Sequence, residues 1–105
     1  MKQAQDAFGQ PLLLNHYVAY TVRSGSSMDI RIAKVFGFEY DKFDYQPWKI
    51  EVIAAKYEYD YTTRQYITKA YRTKLSANHT LINLGYSVPK REQDAIEQWY
   101  ADNGF

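Results

Sequence analysis

The sequence predicts a mainly β fold: a small, strongly bent antiparallel sheet of about five strands, closed as a barrel, followed by an amphipathic helix. Three observations lead there. Runs rich in β-branched and aromatic residues, with an alternation of period two, recur from His16 to Tyr86 between turns. The longest run, WKIEVIAAKYEYDY, changes its apolar face half-way, as a strand does at a barrel corner. Apolar residues at helical spacing occur only after Pro89. A chain of 105 residues is one domain. It divides here into a barrel over 12–86 and a helix over 88–103.

The elements follow in order. Residues 1–8 are polar and read as loose or weakly helical, and FGQP, Phe8 to Pro11, is a turn. The run PLLL is long enough only for a strand start. HYVAYTVR is the first strand, with Val18, Tyr20 and Val22 on one face and Tyr17, Ala19 and Thr21 on the other. SGSS, Ser24 to Ser27, is the tip of a hairpin. In MDIRIAKVFGFEY, Met28, Ile30 and Ile32 alternate with Asp29 and Arg31. The pattern slips after Ile32, which predicts a bulge or bend there, and Gly37 offers a second place to bend. DKFDYQP is an acidic, aromatic loop.

The strand from Trp48 places Trp48, Ile50, Val52 and Ala54 on one face and, past Ile53 to Ala55, Tyr57, Tyr59 and Tyr61 on the other. Fully extended, it would span ~46 Å, long for a straight strand in so small a domain. RQYITKAYRTKL alternates weakly and carries lysine and arginine, as an edge strand does. SANH is a turn, and TLINLGY a short closing strand. In the helix, Ala95, Ile96, Trp99 and Tyr100 form one stripe, Pro89 suits the first turn and Gly104 the stop.

Composition excludes several classes. With 46% hydrophobic and 24% charged residues, the chain is globular in composition. A net charge of +1 argues against a partner held by global electrostatics. The absence of cysteine excludes disulfides and thiolate metal sites and fits a reducing compartment. The opening MKQAQDAFGQP lacks the apolar core of a signal peptide. No apolar run approaches the ~20 residues of a membrane helix. The expectation is a soluble, cytoplasmic protein that does not engage membranes.

The sequence carries no catalytic signature. His16 and His79 lack carboxylates at ligand spacing and read as surface or turn residues, so no metal is expected. Ser24, Ser26 and Ser27 are turn serines without a nucleophile context. The pairs Asp41–Asp44 and Glu58–Asp60 alternate with apolar residues and face water rather than each other's chemistry. Neither phosphate-cradling glycine pattern is present, and no cofactor is expected.

Tyrosine is the outlier, with 11 residues. The stretch KYEYDYTTRQYITKAY, Lys56 to Tyr71, holds five of them. A small barrel cannot bury so many phenols, each with a hydroxyl to satisfy. Some of Tyr17, Tyr20, Tyr71 and Tyr86 are expected to close the core. Tyr57, Tyr59 and Tyr61 are either a second core layer or a row standing in solvent, and exposed aromatic rows usually have a partner. Residues 56–74 also carry Lys56, Arg64, Lys69, Arg72 and Lys74 against Glu58 and Asp60. Interleaved with tyrosine, such a stripe suits single-stranded nucleic acid, while its plain reading is a solvated edge.

The stretches FGQPLLLN and HYVAYTVRSGSSMDIRIAKVFGF resemble small bacteriophage proteins of the SH3-like barrel type. In those, an F/LG-x-x-L and Y-V-A-Y opening leads through a serine/glycine hairpin to an I-A/G-K-V strand. Leu81–Ile82, then Val88–Pro89 and a helix, fit the same layout, whereas Asn15–His16 replaces the usual glycine–aspartate. The resemblance implies an SH3-like barrel and a viral origin, and it carries over no catalytic residue. The expectation is therefore a non-enzymatic viral-type accessory protein in the cytoplasm of a host cell. It binds a protein, a host or defence protein or its own copy, through Tyr57, Tyr59, Tyr61 and Tyr66 with Arg64, Lys69, Arg72 and Lys74. The alternative is a nucleic-acid binder using those same cations with Tyr57 to Tyr71.

Overall fold

A computed structural model describes residues 4–43, 45, 47–76 and 81–105, with Ser24 and Ser27 described in backbone only. Five strands, β1 (Tyr17–Ser24), β2 (Ser27–Tyr40), β3 (Trp48–Asp60), β4 (Gln65–Ser76) and β5 (Ile82–Gly85), precede one helix, α1 (Lys90–Asn103). All strand pairs are antiparallel, in the order β4-β3-β2-β1-β5. The mainly β architecture with a C-terminal helix is as the alternation predicts. The closed barrel is not: β4 and β5 are the two outer strands of a single open sheet.

The face switch in β3 has a different origin from a barrel corner. β3 is covered on both sides, at positions offset along its length. On one face Ile50, Val52 and Ala54 pack with Val18, Tyr20, Ala33 and Val35 under Ala4, Leu12 and Leu81. On the other, Ile53 and Ala55 pack with Tyr17 against Ile96 of α1. Past Ala55 neither core reaches, and tyrosine alternates with charge along a projecting hairpin arm. Because the sheet stays open, a long strand is no obstacle. The molecule measures 48 Å along its longest axis.

Two-sided cover also explains the slip in β2. Ala33 and Val35 serve the first core while Ile32 and Phe36 serve the second, so both parities turn apolar without a bulge at Ile32. The register shift falls later, between Val35 and Gly37, and it brings Phe38 back to the Ile50 face.

From Ala4 onward the opening segment is not loose, and residues 1–3 of the expected polar stretch lie outside the described residues. Ala4 and Leu12 are buried and Asp6 is only 6% exposed. One Asp6 carboxylate oxygen accepts the N–H groups of Phe8 and Gln10, both at 2.9 Å, and the other accepts that of Asn83 at 2.8 Å. The Ala7 N–H donates to the Leu81 carbonyl at 2.7 Å. The expected turn at Phe8–Pro11 forms, with Gly9 at φ 78°. Leu12–Leu14 are not in a strand, contrary to the reading of PLLL.

Pro89 caps α1 with φ −61° and ψ 139°, and Gly104 ends it at φ 70°. The stripe Ala95, Ile96, Trp99 and Tyr100 faces the sheet side, with Ile96 fully buried. A polar latch fastens it: Glu97 Oε1 accepts from Lys34 Nζ at 2.8 Å and from the Tyr17 hydroxyl at 2.9 Å. The residues Ala77, Asn78, His79 and Thr80, which hold most of the expected SANH turn and the start of the last strand, lie outside the described residues, as do Asp44 and Gln46. Among the described residues no helix is long and apolar enough to cross a membrane.

Candidate functional site

The tyrosine-rich run folds into the β3–β4 hairpin, whose register sets Tyr59 opposite Tyr66 and Tyr57 opposite Thr68. Cross-strand partners share a face, so alternation alone gathers the phenols. The tip is built locally. Asp60 Oδ1 accepts the Thr62 N–H at 2.9 Å, and the Arg64 N–H reaches the Asp60 carbonyl at 2.8 Å. Hydrogen bonds from the turn's backbone, that of Thr62 foremost, hold the Asp60 carboxyl below the ordinary range. Arg64 takes a left-handed φ of 58°, which costs a non-glycine residue about 1 kcal/mol.

Tyr57 and Tyr66 stack with centroids 5.2 Å apart. Tyr59 meets Tyr66 edge-on at 5.2 Å and Tyr61 edge-on at 5.0 Å. The four phenols make one cluster, and their exposures, 39% for Tyr59 to 85% for Tyr61, place it outside both cores. Of the tyrosines expected to close the core, Tyr17 and Tyr20 do so, and burial pushes both phenols well above their ordinary value. Tyr71 is half-buried against the first core. Tyr86 is exposed, edge-on to His16 at 5.0 Å.

The four cations paired with this run in the sequence do not form one stripe. Arg72 and Lys74 share the helix-side face with Tyr66, Lys69 shares the opposite face with Tyr71, and Arg64 sits in the turn. Most have carboxylate partners. Lys74 Nζ lies 2.8 Å from Glu39 Oε2, which raises the ammonium and lowers the Glu39 carboxyl. Arg72 lies 3.9 Å from Glu51 and over the Phe36 ring at 5.0 Å. Lys69 and Lys56 both pair with Glu58. Glu58 is thus committed to lysines and Asp60 to the turn. His79 and Asp44 lie outside the described residues. Among those described, no group of three His, Asp or Glu could hold a metal ion.

Three features escaped the sequence reading. The Arg91 guanidinium lies 3.9 Å over the Tyr57 ring, bringing the first turn of α1 to the tyrosine cluster. Arg31 donates to the Tyr71 hydroxyl at 2.7 Å. An apolar hollow of about 340 Å³ lies among Leu12, Leu13, Leu14, Phe38 and Trp48, away from the cluster. The first two join residues far apart in the chain, which no local pattern connects. The third was signalled by Leu12–Leu14, which serve a surface instead of a strand.

No family model, no curated protein and no solved structure matches the chain.

Proposed function

We propose that the protein is a small non-enzymatic accessory protein of viral type that binds a protein partner through the tyrosine cluster of the β3–β4 hairpin. The observation that carries this reading is that Tyr57, Tyr59, Tyr61 and Tyr66 contact one another outside both hydrophobic cores. Tyrosine offers large rigid area with a polar tip, which suits protein interfaces. Mutual contact holds the rings in place before a partner arrives, which lowers the entropy cost of docking. The viral setting, and with it a host or defence protein as target, follows from the phage resemblance of the first two strands. A protein is favoured over nucleic acid because the cations of the run are split between faces and largely paired with carboxylates.

The test is capture from bacterial lysate on the immobilised protein, with and without nuclease. A stoichiometric protein that survives nuclease is expected. Tyr59→Ala and Tyr66→Ala, with unchanged circular dichroism, should each weaken its capture by about tenfold or more. Binding that disappears with nuclease and falls steeply with salt would replace this reading by the nucleic-acid one.

A further inference from the structure

The sheet is notched. β2 and β3 pair from Tyr40–Trp48 to Ile32–Ala55 and no further. Beyond that last pair β2 continues back to Ser27 and β3 on to Asp60. Each of these arms is hydrogen-bonded on its far side, to β1 and to β4. Among the described strands none pairs with the edges that face each other across the gap. Two unpaired strand edges are thus set on either side of one opening, and each is a template for a further strand.

The opening has a chemical character. Two hollows of about 190 and 410 Å³ lie in it, and Arg31 and Lys56 line both. Lys69 and Arg91 add two more cations against Asp29 and Glu58. Lys56 and Lys69 share Glu58, and Arg91 holds the adjacent Glu92 at 2.6 Å. Arg31 differs. No described carboxylate pairs with it: its guanidinium donates to the Tyr71 hydroxyl and lies against that of Tyr20, both uncharged partners. A guanidinium whose partners are all uncharged is free to take a carboxylate, the group whose geometry its fork of N–H donors matches.

We infer that the notch between β2 and β3 receives an extended acidic segment of the partner protein, added to the sheet as a strand, with a carboxylate on Arg31. This rests on the protein-binding reading above and specifies its partner. The strand lies antiparallel to one arm and parallel to the other, because the arms themselves are antiparallel. About five residues, ~17 Å, fill the length of the arms. Main-chain pairing supplies affinity, and Arg31 and Lys56 select the side chains. Tyr57 lines the notch and belongs to the tyrosine cluster, so one partner can cover both.

Selection of a displayed library of random dodecapeptides on the full chain tests this and requires no identified partner. The enriched peptides should carry Asp or Glu at alternate positions within a β-prone stretch. They should bind Arg31→Gln at least about tenfold more weakly, with an unchanged melting temperature. Lys56→Glu, on an exposed side chain, is the second variant and should weaken the same peptides. No enrichment, peptides without acidic residues, or equal binding to both variants overturns the inference. So does displacement by a single-stranded oligonucleotide that depends on Arg31, or a dimer of the protein abolished by Arg31→Gln. Lysate capture that needs Tyr59 but is indifferent to Arg31→Gln would leave the tyrosine interface standing and remove the notch alone.

Discussion

At the scale of single residues, the latch on α1 and the carboxylate of Asp6 do similar work. Each gathers donors from segments far apart in sequence. Lys34 and the Tyr17 hydroxyl both donate to Glu97, and they hold its carboxyl below the ordinary range. A depressed carboxyl contributes stability above its unfolded value, and the contribution is lost as pH falls through the folded value. The melting temperature of the native protein should therefore fall on acidification below about pH 4. The difference between it and Glu97→Gln, measured at each pH, should close over the same window. The gap near neutrality should be at most about 1 kcal/mol, since Glu97 is half exposed and solvent screens the pair. Asp6 is better shielded. Asp6→Ala leaves three amides without their acceptor and should cost about 2 kcal/mol in urea melts. Faster hydrogen exchange at Asn83 should mark the loosened contact with β5.

At the scale of elements, Ile96 is the side chain of α1 that is fully buried against the sheet. Ile96→Ala opens a void against Ile53 and Ala55 and should cost about 3 kcal/mol. Near-ultraviolet dichroism should report the loss of Trp99 packing. The bounds of the strands and of the helix were legible within a few residues, because alternation, turn glycines and the Pro89–Gly104 pair act locally. The cover on the strands was not. In β3 an apolar run on both parities fits a barrel corner and a sheet buried on both faces equally well. Only the positions of Leu12 and Ile96, both far from Ile53 in the chain, decide between them. The aromatic cluster was half legible. Alternation placed Tyr57, Tyr59 and Tyr61 on one face, whereas their contact with Tyr66 depends on the hairpin register.

At the scale of the whole molecule, an open sheet leaves two outer strands, and of these only β5 is short. β4 is 12 residues long and no described strand pairs with its outer side, and Lys69, Arg72 and Lys74 are spaced along it. Their charge opposes pairing with a second molecule. Replacing Lys69 and Lys74 together by valine should produce concentration-dependent association, measured by light scattering, in a protein that still shows its native dichroism. The edge role of this strand was evident from its lysines and arginine. The openness of the sheet was not, because closure depends on whether β4 and β5 meet, and they belong to opposite ends of the strand order.

The covering of one sheet by segments from both ends of the chain sets an order of events during synthesis. Leu81, which completes the first core, and Ile96, which completes the second, are translated after four of the five strands have been made. While the chain is being made, the β1–β4 hairpins can close but Tyr17, Ile53 and Ala55 have nothing to cover them until α1 leaves the ribosome. Between the synthesis of β3 and that of α1 the nascent chain therefore carries a bare apolar face, and docking of the helix ends that exposure.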